Sequence, residues 1–458
     1  MTKPKSGLIP ESKVMLATDM YQLTMSRGYR ELEKQDEIAT FDLFVRKLPK
    51  NRSYLVVAGL EQALWYLTEG FNFDDESIDF LKKKKQFRNA KPEFWSYLKD
   101  LKFTGDVWAM PEGELAFPNE PMLRLTAPII EAQVAETYLL STYNHQTKIA
   151  SKAARCVEAA QGRAVVEFGT RRTDPGAAIR AARAAYIGGA IGSSNVLADY
   201  MFDVPSFGTH AHSWVMSFPN EEEAFEAYFK VYGNETVALI DTYNTIEGAK
   251  KAARLPREIK GVRLDSGDMG ELSKEVREIL NAAGKESGII FASSDLNEYK
   301  INDLIRKGAK IDAFGVGTEL ILSKDAPALG GVYKLAQLDD KLKLKLSEDR
   351  EKATLPGTKQ VYRIEEGGFI NHDVIALDND VMRGRQLLQK YVSSGRLVKE
   401  LPDIHKTRDY AAKNLSKLPL SLRKIDAREK YKVKISVNLE GYMKFLSKVY
   451  GEIMEGGE

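Results

Sequence analysis

Two of the chain's five histidines, His210 and His212, stand in the run Phe207-Gly208-Thr209-His210-Ala211-His212-Ser213, directly after a short apolar stretch. Imidazole takes a proton, a metal or a phosphoryl group near neutral pH, and a glycine among small neighbours lets a bulky anion come close to the backbone. Chemistry on phosphates is therefore the leading reading. A two-histidine metal pair fits worse: in a glycine-led turn the i, i+2 spacing does not put both rings on one side, and no third nitrogen or sulfur ligand is in sight. A phosphoryl acceptor or an acid–base group fits better.

Six short apolar runs between about Arg163 and Gly331, each closing on polar or glycine residues and followed by a helix-like stretch, predict successive βα units. They are Ala164–Phe168, Val204–Phe207, Val237–Asp241, Gly261–Asp265, Gly288–Ala292 and Ile311–Gly315. Helix starts are readable too, as Asp174 before Pro175 and as Asn220 before three glutamates. No G-x-G-x-x-G opens a helix after the first run, so a parallel barrel accounts for the rhythm better than a doubly wound open sheet, which is the alternative. In such folds the site lies at the carboxyl ends of the strands. The residues there are Phe168, Gly169, Thr170, Arg171 and Arg172; then Gly208, Thr209, His210 and His212; then Asp241, Thr242 and Asn244; then Arg263, Asp265, Ser266, Gly267 and Asp268; then Ser293, Ser294 and Asp295; and last Gly315, Gly317 and Thr318. Some of these have ordinary explanations. Arg171-Arg172 is either a fork for an anion or a bridge to acidic neighbours. Asp265 to Asp268 either meets ribose hydroxyls and Mg²⁺ or caps the next helix. Gly315 and Gly317 offer backbone N–H groups to a phosphate.

The elements around this block read as mostly β with some helix. Strands are expected at Phe41–Val45, Glu114–Phe117, Val332–Ala336, Lys341–Leu346, Gln360–Ile364 and Tyr431–Ser436. The expected organisation is an α/β barrel at residues 146–331, inserted in a β-rich, sandwich-like domain built from residues 1–145 and 332–458, the last with a helical tail. The chain of 458 residues carries a net charge of +2, with 43% hydrophobic and 29% charged residues. That balance suits a globular protein and implies neither nucleic acid nor membrane as a partner, the basic stretches Lys82–Lys85 and Arg383–Lys434 reading as solvated faces. The single cysteine, Cys156, excludes intrachain disulfides and cysteine-clustered zinc. With no apolar segment behind Met1-Thr2-Lys3-Pro4-Lys5, a cytoplasmic protein is expected.

Seven segments occurring in order resemble the nicotinate phosphoribosyltransferase family over essentially the whole chain: Thr18–Met25, Glu167–Arg172, Ser193–Ala198, Gly208–Ser213, Leu239–Tyr243, Gly261–Asp268 and Gly315–Thr318. The resemblance implies an irregular TIM-like α/β barrel. It also implies the joining of nicotinate to 5-phosphoribosyl 1-diphosphate, coupled to ATP hydrolysis through a phosphohistidine, with Mg²⁺. On this likeness His212 is the phosphorylated residue, Asp241 a carboxylate at the catalytic centre, and Thr209 and Arg263 neighbours of nicotinate. Gly315, Gly317 and Thr318 hold the phosphate end of the phosphoribosyl group. Gly169, Asp265, Ser266 and Gly267 join the substrate set, and Phe168 and Arg171 are further candidates for the ring face and its carboxylate. Tyr21 would reach the ring from the partner subunit of a homodimer whose active site lies at the interface. The metal ligands stay open. A nicotinamide-specific enzyme is the near alternative; an aldolase-like barrel would need a lysine at a strand end, which none of the six runs supplies; and a silent scaffold would show no turnover.

Overall fold

The computed structural model describes residues 9–256, 258–345, 354–427 and 429–455. Its described residues form two compact units. One comprises the chain up to Thr147, Ala328–Leu422 and the residues from Glu429 onward; the other comprises Lys148–Pro327 and Arg423–Ala427.

The second unit is an α/β structure around a six-stranded parallel sheet. Its strands, numbered in chain order, are β1 (Ala164–Glu167), β2 (Gly192–Ser193), β3 (Val237–Leu239), β4 (Gly261–Leu264), β5 (Ile289–Ser294) and β6 (Ala313–Val316). They lie in the order β2-β1-β6-β5-β4-β3, and each neighbouring pair is parallel. Val165, Val166, Val262, Ile290 and Phe314 are buried, which is why these runs carry little alternation. Several of the helices around this sheet start on a side-chain cap, although His212–Met216 and Thr318–Ile321, the latter directly behind β6, have none. Asp174 accepts from the Gly176 and Ala177 N–H groups, Asn220 from Glu223, Asn244 from Ile246 and Glu247, Asp268 from Gly270 and Glu271, and Asn297 from Tyr299 and Lys300. Short strand-to-helix turns keep the intervening residues at one rim of the sheet.

One expected strand is absent. Val204–Phe207 makes only an isolated bridge, Ser206 to Ser193, and β2 takes the place it was expected to fill. The segment lies beside β2, with Ser193 N–H donating to the Pro205 carbonyl (3.0 Å) and Phe207 N–H to the Ser193 carbonyl (2.8 Å). Pro205 has no N–H of its own to extend a ladder. The third run also stops early, at Leu239, so that Asp241 lies past the strand end.

In the first unit a seven-stranded, wholly antiparallel sheet runs in the order Lys341–Leu342, Gly331–Leu338, Ile38–Val45, Leu123–Pro128, Asp106–Ala109, Gln389–Ser393, Arg396–Leu397. Chain from both sides of the barrel block thus shares one sheet. A four-stranded sheet holds Arg385–Gln386, Lys359–Glu366, Phe369–Leu377 and Lys432–Ile435, and a two-stranded one pairs Leu55–Val56 with Leu115–Ala116. The alternating segment from Lys341 is a strand only through Leu342, and Leu346 lies outside the described residues. Helix is more abundant on the amino side than expected: Met20–Glu31, Leu60–Thr68, Asp75–Lys82, Pro92–Asp100 and Ile129–Val134 all belong to this unit. A buried ionic centre ties its sheets together. Arg363, fully buried, donates to Glu114 (2.5 Å), to Asp373 (2.5 Å) and to the Leu115 carbonyl (2.8 Å).

Close packing fixes the end of β3. On the helix Thr245–Ala253, Gly248 faces the Ile240 backbone so tightly that a Cβ would collide with the Ile240 carbonyl oxygen, with its carbon only 2.9 Å away. Gly248→Ala should therefore cost roughly 1–3 kcal/mol, as overpacked cores do. Because Asp241 and Thr242 follow directly, activity should fall further than stability alone accounts for. Urea unfolding together with steady-state kinetics would show both effects, and an unperturbed variant would contradict this packing.

Candidate active site

At the carboxyl rim of the parallel sheet lies a cavity of about 440 Å³. Of the residues expected at a site, Phe168, Arg171, Thr209, Arg263, Asp265, Gly315, Gly317 and Thr318 line it. Arg263 organises the wall. Its Nε donates to the Ser293 hydroxyl (2.7 Å), one terminal nitrogen to Thr209 Oγ1 (3.2 Å) and the other to Asp265 Oδ1 (3.0 Å). Its guanidinium carbon lies 5.7 Å from the centroid of the Phe168 ring, within cation–π range. The Phe168 ring in turn sits 5.3 Å from Phe291, and both crowd Gly315, where a Cβ would lie 2.8 Å from either ring. Gly315 is thus required by close approach of two aromatics. Arg171 and Arg172 are exposed on the same wall and enter no side-chain hydrogen bond or ion pair among the described residues. Of their two readings the bridge to acidic neighbours is not realised, and both cations face solvent and the cavity.

Asp265 is the junction of the site. Its Oδ1 accepts from Arg263 and from Ser293 (2.5 Å), and its Oδ2 lies 3.7 Å from His212 Nε2. Burial alone would raise its pKa, but the Ser293 hydroxyl, Arg263 and His212 outweigh that and hold it below the ordinary carboxylate range. His212 is 42% exposed at its side chain, and its Nδ1 is 3.1 Å from the Thr242 hydroxyl. With Nδ1 engaged, Nε2 is the nitrogen open to an incoming group.

Other expected residues stand elsewhere. Asp241 is one step behind the cavity wall, where its Oδ2 accepts the Asp265 N–H (3.0 Å) and the Ser266 hydroxyl (2.6 Å), while its Oδ1 is buried without a partner. It holds the Asp265 loop. Gly267 has φ +82°, which a glycine adopts without strain, and Asp268 is committed to capping the next helix. Gly169 packs against Ile321, so closely that a Cβ would lie 2.5 Å from its Cγ2. Tyr21 belongs to the other unit, where it is half exposed and its hydroxyl meets Glu136 at 3.3 Å.

Two buried residues depart from the strand-end reading, which passes over Glu167 and places His210 at the rim. Glu167, the last residue of β1, is fully buried; its carboxylate accepts from the Gly169 N–H and from the Ser193 hydroxyl (2.6 Å), clamping the turns after β1 and β2. His210 is buried rather than presented to the cavity, and its Nε2 accepts the Leu239 N–H at 3.1 Å. Ser293, also on the wall, follows from the strand-end rule, whereas Ser194 lies behind β2, a strand that the apolar runs do not announce.

The chain is similar to known proteins along most of its length. Residues 16–144 match the nicotinate phosphoribosyltransferase N-terminal domain, 149–328 the quinolinate phosphoribosyl transferase C-terminal domain, and 381–443 the nicotinate phosphoribosyltransferase C-terminal domain. A nicotinate phosphoribosyltransferase of Mycobacterium tuberculosis is 42% identical over 437 residues, covering 93% of this chain and 92% of that one. The Bacillus subtilis enzyme of that name is 39% identical, covering 93% and 94%. Among solved structures, human nicotinic acid phosphoribosyltransferase aligns with a TM-score of 0.83 at 27% identity, over 94% of this chain and 99% of that one. Fold and cavity define a phosphoribosyltransferase of the irregular-barrel class. The chain belongs to the nicotinate phosphoribosyltransferase family.

Glu167 and His210 give the site a measurable pH signature. Burial pushes the Glu167 carboxyl up to about 7, with the Ser193 and Gly169 hydrogen bonds drawing it back. Burial drives His210 down to about 4 against the Ala211 carbonyl, and the Arg263 and His212 charges add to the fall. A raised carboxyl stabilises the fold below its unfolded value of about 4.5, and that contribution is lost as pH climbs through 7. A depressed imidazole does the reverse: its contribution is present above about 6.5 and is lost as pH falls towards 4. The two slopes oppose each other in the shared window. Glu167→Gln removes one of them, so its unfolding free energy should drop more steeply on acidification from pH 6.5 to 4.5 than the parent's. Urea melts at a series of pH values measure this, and parallel curves would contradict it.

Proposed function

We propose that this protein joins nicotinate to 5-phosphoribosyl 1-diphosphate, giving nicotinate mononucleotide and diphosphate, with ATP hydrolysis coupled through phosphorylation of His212. The observation that carries the reading is the cation at the cavity wall: Arg263, held by three partners and backed by Phe168, beside the uncommitted Arg171 and Arg172. A carboxylate on a flat ring meets a guanidinium fork and an aromatic face there, whereas a neutral amide gives up the ionic contact. The turn after β6, with Gly317 and Thr318, presents backbone N–H groups suited to the 5-phosphate, and Gly315 near the end of the strand leaves room beside it. Displacement at the ribose carbon needs nearby oxygen dipoles and an aligned nucleophile, for which Asp265, fixed by Asp241, Ser293 and Arg263, supplies the dipole.

His212 suits the coupling step. Its Nε2 attacks the terminal phosphorus of ATP, the bond to ADP breaks, and the phosphoryl group later passes to water, restoring the imidazole. In between, about two negative charges stand beside Asp265. Repulsion of that carboxylate and attraction of Arg263 and Arg171 give phosphorylation a route into the substrate wall. Mg²⁺ belongs to the same reading. No three His, Cys, Asp or Glu side chains converge as ligands among the described residues, so Asp265 and Asp295 on the wall fit outer contacts to a cation carried by the diphosphate oxygens. Its charge would ease departure of the leaving group.

A homodimer with Tyr21 reaching the partner's site is also part of the proposal. The helix Val196–Phe202 exposes Val196, Leu197, Tyr200 and Met201, with Tyr200 at 88%. It runs between Ser194 and Phe207, two residues of the cavity wall, so an apolar face borders the site. No helix among the described residues is long and apolar enough to cross a membrane.

Purified protein with nicotinate, 5-phosphoribosyl 1-diphosphate, Mg²⁺ and ATP should yield nicotinate mononucleotide, and nicotinamide should be a far poorer substrate; equal use of both bases would move the reading to the amide. Arg263→Lys should raise the KM for nicotinate about tenfold, since a point charge replaces a fork. In His212→Ala some transfer should persist while ATP no longer stimulates it. An ATP response of normal size in that variant would remove His212 from the coupling.

A further inference from the structure

His210 stands in the same turn as His212, yet its buried ring does not line the cavity. Its place in the sheet is unusual. β3 is an edge strand with β4 on one side. Its N–H groups alternate, as in any strand: that of Ile240 points to β4 and donates to the Arg263 carbonyl (3.2 Å), while that of Leu239 points to the open side. No strand carbonyl receives it. The acceptor is the imidazole Nε2 of His210, and the same stretch of chain bonds β2, at the opposite edge of the sheet, through Pro205 and Phe207. Residues 205–210 therefore reach from one edge to the other, attached by backbone at β2 and by one side chain at β3.

We propose that His210 is a positioning residue whose ring replaces the missing strand carbonyl at β3 and thereby sets the height of the turn that carries Thr209 and His212. The proposal rests on the functional reading above. Its neighbours support it. The ring is buried against Tyr228 (4.7 Å between centroids) and Phe225 (6.2 Å), so it has little freedom to swing. The His210 carbonyl accepts from the Thr209 hydroxyl (3.3 Å), and that oxygen receives Arg263 (3.2 Å). Two residues on, His212 meets Thr242, three residues beyond the tethered Leu239. One hydrogen bond thus registers the phosphoryl-accepting histidine and the ring-binding arginine against the same strand.

Three variants test this. His210→Leu fills the volume without an acceptor, His210→Gln restores a polar acceptor, and Tyr228→Phe perturbs the packing alone. Hydrogen exchange of peptides covering Leu239 should quicken about tenfold in His210→Leu, the size of one lost buried hydrogen bond, and return towards the parent rate in His210→Gln. In kinetics His210→Leu should raise the KM for nicotinate and lower the product formed per ATP hydrolysed, with His210→Gln recovering both and Tyr228→Phe changing neither. A folded His210→Leu protein with parental exchange at Leu239, or with parental KM and coupling, overturns the proposal. If His210→Leu does not fold, the comparison passes to His210→Gln, whose Leu239 protection and coupling must then both stay near the parent's. Should the parent show no nicotinate transfer at all, the functional reading falls, while the exchange data still decide whether the clasp exists.

Discussion

A guanidinium carries five N–H donors in one plane, and at Arg263 three of them are fixed by groups on three different segments: Ser293 at the end of β5, Thr209 in the turn before His212, and Asp265 just past β4. The charge cannot rotate away, and Phe168 covers it from one side. A cation so constrained lowers the reorganisation needed when an anion arrives. The rest of the site takes its dimensions from this clamp. Asp265 is kept ionised by it, His212 is within reach of the same carboxylate, and Asp241 steadies the loop from behind.

Sheet and site use different chemical means to reach the same rigidity. Beneath the rim, strands are buried on both faces and several helices begin on side-chain caps, so the strand ends have little slack. At the rim, hydroxyls and carboxylates replace apolar contact. Glu167 shows how the two regimes meet, a buried carboxyl at the end of β1 holding two turns through a glycine N–H and a serine hydroxyl. Its raised pKa is the cost of putting an ionisable group where packing would otherwise prefer an amide.

Much of this was legible from residue order, and the limits are physical. β1, β4, β5 and β6 announce themselves as apolar runs, and Asp174-Pro175 and Asn220 mark helix starts, because those signals are local. β2 is two residues long, Gly192 and Ser193, too short to show any period. Val204–Phe207 has the composition of a strand but lacks the Pro205 N–H. Strand-end logic names Arg263, Asp265, Thr209, Gly315, Gly317 and Thr318, which the structure brings to one cavity wall, yet it cannot separate wall from support, so Asp241 reads the same as Asp265 although only Asp265 lines the cavity. His210 and His212 likewise look equivalent in sequence; what separates them is the outward N–H of Leu239, 29 residues away, which donates to His210.

The stretch Arg423–Ala427 belongs to the barrel unit although the residues on either side do not. Arg155, buried, donates to the Ile425 carbonyl (2.8 Å) as well as to Glu298 and Tyr299, and Arg423 pairs with Glu158 (2.9 Å). The barrel is therefore not self-contained between Lys148 and Pro327. A fragment cut at those points leaves a buried guanidinium short of an acceptor, and a nonsense or frameshift lesion ahead of residue 423 removes that acceptor from more than a hundred positions downstream of the unit's last strand.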